Sequence, residues 1–282
     1  MELILDWISI TSHTHHGKMQ DGCHYALNDW NQWELTTARN GYTEGAKHST
    51  GTKVYQNHGR KEMGTHIIYS GKALQKIEQE FNTSAFDVLK WHVKRGHNIA
   101  RIDIAVDFKN TSLTVQDFEN AYDSGLCKTK LRSANVIKEK HGDGHTLYIG
   151  SKKKRKKLVR IYDKMAETKT AIAWTRCEIQ IMGKPATKIA VDATNGSSMK
   201  QVLLGAMLDV VDFPSVPLWS SSFNDIDKVK LGSESDHLAD TREWLNRTVF
   251  KSILKEANKD GMWFDEYISA LLVEARKSGI RR

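Results

Sequence analysis

Three segments alternate so regularly between apolar and charged residues that they commit the chain to a sheet with one buried and one open face. In Ile99–Phe108, Ile102, Ile104 and Val106 share one side, and Arg101, Asp103, Ala105 and Asp107 share the other. Leu158–Lys164 places Arg160, Tyr162 and Lys164 together, and Trp174–Met182 sets Arg176, Glu178 and Gln180 against Cys177, Ile179 and Ile181. Alternation of period two marks a half-buried strand. Helical patterns lie between and after these strands. The expected class is therefore α+β: a largely antiparallel central sheet with helices covering its apolar face and the other face polar and open, plus C-terminal helices.

Further strands are expected at Leu3–Thr11, Met63–Ser70, Ser133–Lys138 and Thr146–Gly150. Residues 13–50, rich in His, Gly, Asn and Thr, predict loops and short strands. Helices are expected at 72–81, at 85–95 after an Asn82-Thr83-Ser84 cap with Gly96 as the stop, and at 115–122 after Thr114. From Lys184 onward the pattern is helical, with 198–212 amphipathic. Residues 214–238 look irregular, and helices at 240–258 and 263–278 meet at Gly261. Their apolar stripe, including Trp244 and Tyr267, reads as a helical hairpin. No repeat is evident in the sequence. The expected division is a domain over 1–215 and a short helical extension over 216–282.

Charge narrows the partner. The 282 residues carry a formal net charge of +8, and six consecutive cations, Lys152, Lys153, Lys154, Arg155, Lys156 and Lys157, run directly into the Tyr162 strand. Such a run suits a phosphate backbone held without reading its sequence; a solvated loop is the plain alternative. No apolar stretch has membrane-spanning length, and the acidic start is unlike a signal peptide. Cys23, Cys127 and Cys177 are far apart and odd in number, so a disulfide framework does not follow and a cytoplasmic setting is expected.

If the three alternating strands share one sheet, two carboxylates, Asp103 and Glu178, converge with Asp107, Arg101, Arg160, Arg176, Lys164 and Tyr162. Carboxylate oxygens suit Mg²⁺ or Mn²⁺, which stabilises charge at a phosphate under attack. Arginine and lysine hold the non-bridging oxygens, and a tyrosine hydroxyl can act as nucleophile. Cross-strand ion pairs on a solvated face are the plain alternative. Among the histidines, His13-Thr14-His15 has a metal-like spacing at a strand end, and His145 is a further ligand candidate, although it is in phase with Leu147 and Ile149. Trp91, Trp174 and Trp244 suit base stacking or, more simply, core packing. The His237–Arg242 spacing is wrong for a tyrosine recombinase.

The run Gly144–Ser151, the basic turn, Leu158–Lys164 with Glu167, and Trp174–Ile179 occur in an order that resembles the replication initiation factor family. Its members are staphylococcal-type plasmid rolling-circle initiators, phage replication initiators and relaxases of some integrative elements. Arg101–Asp107, Asp6-Trp7-Ile8-Ser9 and His66–Gly71 resemble further blocks of that family, and the ordered matches extend over residues 1–215. The resemblance implies an HUH-endonuclease-like sheet and a sequence-directed nickase. Tyr162 would become linked to a 5′ phosphate and leave a free 3′ hydroxyl. Asp103, Glu178 and Asp107 would hold a divalent metal, and origin DNA, nicked or single-stranded, would be the partner. It also implies a host helicase; the oligomeric state stays open, and a second nucleophile could be a tyrosine from a partner subunit of a homodimer or a carboxylate-activated water. The competing reading is a non-catalytic DNA-binding protein on the same sheet.

Overall fold

A computed structural model describes residues 1–13, 18–138, 144–151, 156–196, 198–231, 250–259 and 261–277. Two compact units are present, Met1–Leu231 and Gly232–Arg282. In the first, β1 (Glu2–Ser12) leads through short 3-10 turns to β2 (Trp33–Leu35), β3 (Glu44–His48), β4 (Lys53–Gln56) and β5 (Thr65–Ser70), then to α1 (Gly71–Phe81) and α2 (Ala85–Lys94). Next come β6 (Asn98–Lys109), α3 (Val115–Asp123), β7 (Lys128–Thr129), β8 (Ala134–Lys138), β9 (His145–Ile149), β10 (Lys157–Asp163) and α4 (Lys164–Thr168). The unit is completed by β11 (Trp174–Met182), α5 (Lys184–Asn195), α6 (Met199–Val210), β12 (Val211–Asp212) and α7 (Pro217–Ser222). In the second unit α8 (Phe250–Ala257) packs against α9 (Gly261–Lys277).

Ten strands form one sheet in the order β2-β3-β4-β5-β1-β6-β11-β10-β9-β8, every neighbour antiparallel. This is the α+β architecture the alternation predicts. The apolar phase of the central strands, Ile8 and Ile10, Ile67 and Tyr69, Ile102 and Ile104, Ile179 and Ile181, is fully buried. It packs with Leu74 and Ile77 of α1, Val88 and Leu89 of α2, Ile189 of α5, and Leu203 and Met207 of α6 in one core. Removing that surface from water, at about 25 cal/mol per Å², is what holds the helices to one side of the sheet.

The helices begin where their caps dictate. Ser70 accepts from the Ala73 amide at the start of α1, and Ser84 and Asp87 form a reciprocal capping box on α2. Pro217 opens α7 within the segment expected to be irregular. The chain then runs back over α6, where the Val229 amide donates to the Gly205 carbonyl and the Leu231 amide to Asp209. A Cβ on Gly205 would sit 2.2 Å from the Asp227 carbonyl, so only glycine lets this segment lie so close. Lys164 begins α4 instead of ending the strand, because Asp163 turns the chain by capping the Ala166 amide. No helix among the described residues is long and apolar enough to cross a membrane.

Candidate functional site

Pairing decides which side chains meet. Arg160 lies opposite Glu178, and Tyr162 opposite Arg176. Glu178 in turn lies opposite Ala105, Gln180 opposite Asp103, and Arg176 opposite Asp107. Directly paired residues of antiparallel strands project to the same face. Arg101, Asp103, Asp107, Arg160, Tyr162, Arg176 and Glu178 therefore share the face opposite the helices, as the alternation predicts.

Tyr162 is 7 % exposed, and its hydroxyl donates to Glu178 Oε2 at 3.5 Å. The same oxygen accepts from Arg160 at 2.7 Å, and the Arg160 guanidinium lies 4.7 Å from the tyrosine ring centre. Lys164 reaches the ring from α4, 5.5 Å from its centre, while pairing with Glu167 at 2.8 Å. Burial, and then the Glu178 carboxylate, push the Tyr162 hydroxyl above the ordinary tyrosine value; Arg176 and Arg160 oppose them. The hydroxyl therefore gives up its proton less readily than an ordinary tyrosine.

The alternation does not expose Asp6. The register between β1 and β6 slips between Leu5 and Trp7, and Asp6 is the extra residue of that bulge. Its Oδ1 lies 2.7 Å from Arg176 Nη1. A Cβ on Gly71 would stand 2.5 Å from the same oxygen, so glycine at the start of α1 gives the carboxylate its space. Burial and the Glu178 charge raise the Asp6 pKa. Asp103, 1 % exposed, is pushed up to about 7 by burial, with Glu178 and Asp6 adding to the shift and Arg101 opposing it. Three carboxylates from β1, β6 and β11 thus burden one another electrostatically.

Several expected roles change. Asp107 gives both oxygens to Arg176, at 2.6 and 2.8 Å, so in this geometry it is the anchor of an arginine rather than an open metal ligand. Arg176 is 1 % exposed and is spent on Asp107 and Asp6, so it is not a surface contact for DNA. Arg101 is partly accessible. It stacks 4.6 Å from the Trp7 ring centre and holds Asp103 through two contacts, one of them 2.7 Å. His145 projects to the helical side, where Nε2 lies 2.8 Å from Glu119 of α3, in ion-pair range but not aligned as a hydrogen bond. Its phase with Leu147 and Ile149 forces this and takes the side chain off the Tyr162 face, although the residue still borders the cleft that Tyr162 lines. Lys157 is paired with Ile181, out of phase with Tyr162, and Lys156 is exposed beside it. Lys152, Lys153, Lys154 and Arg155 lie outside the described residues, as do Thr14, His15, Trp244 and the His237–Arg242 segment.

Beside Tyr162 a cleft of about 470 Å³ opens between β9, β10 and α4, lined by Thr146, Tyr148, Arg160, Tyr162, Ala166 and Glu167 among others. The nucleophile candidate thus lies between a carboxylate cluster and an accessible hollow. The oxygen donors Asp6, Asp103 and Glu178 are of the class a hard divalent ion takes. Among the described residues, no three such groups are close enough to enclose an ion as they stand. An arginine occupies each of these carboxylates: Arg176 on Asp6, Arg101 on Asp103 and Arg160 on Glu178.

The structure of a rolling circle replication initiator protein from Geobacillus stearothermophilus matches this fold with a TM-score of 0.66. The match covers 82 % of this chain and 93 % of that one, at 18 % sequence identity, a level that speaks for fold alone. Among curated proteins none matches the sequence. The profile of the replication initiation factor family matches residues 97–272, which takes in β6 through α8 and part of α9, and with them Asp103, Tyr162 and Glu178 but not Asp6. By that match, which covers more than half of its length, the chain belongs to the replication initiation factor family.

Proposed function

We propose that the protein starts rolling-circle replication by nicking origin DNA with Tyr162. The observation that carries this reading is the placement of the Tyr162 hydroxyl against Glu178 Oε2, with Arg160 over the ring, on the open face of the sheet. Glu178 is positioned to take the hydroxyl proton. The tyrosine oxygen then attacks phosphorus, the bond from phosphorus to the 3′ oxygen breaks, and that oxygen leaves as a 3′ hydroxyl after taking a proton from water. The 5′ phosphate remains on Tyr162, which conserves the energy of the bond for a later joining step.

Arg160 and Lys164 are the cations nearest the ring, and Arg101 lies along the same face. On DNA binding, Arg160 and Arg101 would turn from their carboxylates to the phosphate, where guanidinium groups bind two oxygens at once. Asp103 and Glu178, with Asp6 beside them, would then hold a Mg²⁺ or Mn²⁺ ion, which supplies neutralisation of charge at the attacked phosphate. Lys152 to Lys157 would grip the backbone without reading bases. Origin DNA and a host helicase are the partners this reading calls for.

Covalent capture tests it. Supercoiled or single-stranded origin DNA is incubated with the protein and Mn²⁺ and analysed in SDS. Wild type should form a stable protein–DNA adduct, and Tyr162→Phe should form none. An adduct of undiminished yield from Tyr162→Phe removes Tyr162 as the nucleophile. Binding without any adduct favours the non-catalytic reading.

A further inference from the structure

The ten-stranded sheet contains one five-strand plan used twice. β1 is followed by β2 to β5 and then by α1 and α2; β6 is followed by β8 to β11 and then by α5 and α6. β1 and β6 are antiparallel neighbours at the middle of the sheet. A two-fold axis normal to the sheet, between Trp7 and Asp103, carries β5 onto β11, β4 onto β10, β3 onto β9 and β2 onto β8. The registers agree residue by residue. Tyr55 pairs with His66, which pairs with Thr11. Tyr162 pairs with Arg176, which pairs with Asp107. Two positions along, Lys53, Ile68 and Ser9 answer Arg160, Glu178 and Ala105. Trp7 answers Asp103, and those two are paired with each other, as residues astride such an axis must be. The turn Lys61–Met63 between β4 and β5 stands where α4 stands between β10 and β11.

An axis normal to the sheet leaves both sets of residues on the same face. The first half keeps the tyrosine and one cation of the second, Lys53 for Arg160, but His66 replaces Arg176 and the carboxylates are gone: Ile68 replaces Glu178, Trp7 replaces Asp103 and Thr11 replaces Asp107. Tyr55 is 2 % exposed and forms a three-ring cluster with Tyr42 and His66, whose own rings stack 5.8 Å apart. Lys53 is half-buried on the face, and Lys47, opposite it on β3, reaches Glu34 at 3.3 Å. Trp7 Nε1 is buried with no hydrogen-bond partner among the described residues. The lysines of this half can hold a phosphate, but among the described residues no carboxylate stands beside its tyrosine to take a proton.

We infer that the first half is a non-cleaving copy of the nicking half that seats a second stretch of DNA, antiparallel to the one Tyr162 attacks. The inference rests on the DNA-binding reading of the open face. A two-fold axis reverses strand polarity, and the two strands of a stem are related in the same way. Five strand spacings, about 24 Å, separate β4 from β10, the scale of a DNA helix and not of one nucleotide. The occupant is therefore the paired arm beside the nick, held at its phosphates by Lys47 and Lys53. With one competent half and one inert half, a two-stranded substrate is cut on one strand only.

The test compares two probes, a DNA hairpin with a single-stranded tail and a single strand of equal length. Each loss of a phosphate contact lowers the slope of log affinity against log salt by about 0.9 on duplex. Lys47→Gln/Lys53→Gln should lower the slope on the hairpin by about 1.8 and leave the single-strand slope unchanged. Lys76→Gln/Lys90→Gln, on the helical side, should change neither. An unchanged hairpin slope, or equal losses on both probes, overturns the inference. Covalent adduct formation on the single strand reports separately on Tyr162 and shows that the variant is folded. If wild type binds both probes but forms no adduct, the nicking reading fails and the two-half inference stands on the slopes. If wild type binds neither probe, both fail.

Discussion

Tyr55 and Tyr162 occupy equivalent places in the two halves of the sheet, yet their surroundings differ. Tyr162 meets a carboxylate and an arginine; Tyr55 meets an imidazole and another tyrosine ring. The backbone supplies the position in both cases, so position alone does not make a nucleophile. The difference lies at the neighbouring positions, where Glu178, Asp103 and Asp107 stand opposite Ile68, Trp7 and Thr11.

The comparison breaks most sharply at the tyrosines. Tyr162→Phe should abolish the covalent DNA adduct, whereas Tyr55→Phe should leave its rate within about twofold, since it removes no reacting group. A gel assay in SDS reads both. The next effect is at Glu178. Glu178→Gln, which keeps the shape but cannot take a proton, should slow adduct formation by about 10²–10⁴-fold with DNA binding intact. Single-turnover kinetics above saturating DNA separate that loss from weaker binding.

Stability sharpens the contrast further. Arg176→Met leaves Asp107 buried and Asp6 partly buried without a counter-charge and should cost about 3–5 kcal/mol. His66→Ala at the equivalent position loses neutral hydrogen bonds, to Thr11 and to the Ile10 backbone, at a net cost of about 1 kcal/mol each, plus some ring packing. Urea titration of both variants gives the two values directly. A further contrast is a pH trend. The folded-state pKa of Asp103 is raised from 3.8 to about 7, so the folded state favours its protonated form. Its contribution to stability is complete below about pH 4 and is lost as pH rises through about 7. Asp103→Asn should flatten that decline in thermal unfolding measured across the window; an unaltered slope places the titration elsewhere.

Much of the second half is legible in the sequence, because one continuously buried face enforces alternation. Trp174–Met182 is a strand with the bounds its pattern gives, and Ile99–Phe108 differs from its pattern by a residue at each end. Facing follows from the same parity, which is why Tyr162, Asp103 and Glu178 could be placed together. Partnering does not follow from parity. Nothing in one strand says that Arg176 will take both oxygens of Asp107, since that depends on register between strands far apart in the chain. Asp6 is hidden for the opposite reason: a bulge interrupts alternation, so the residue that most needs a special position is the one the pattern misassigns. The repeat is invisible because the two halves share topology and register but scarcely any residues, Tyr55 and Tyr162 excepted. His145 was readable, its phase with Leu147 and Ile149 already placing it on the core side.

Arg176 clasps Asp107 beside it and Asp6 from 170 residues earlier in the chain. Such a contact closes one of the longest loops in the molecule, and its entropic cost must be met before the contact is gained. A chain emerging from the ribosome would possess Asp6 early, the lysine run much later, and Arg176 and Glu178 only after both. Cations able to hold DNA would thus precede the arrangement able to cut it. On the nicking proposal, the order of synthesis delays the site until the first half of the sheet has been made.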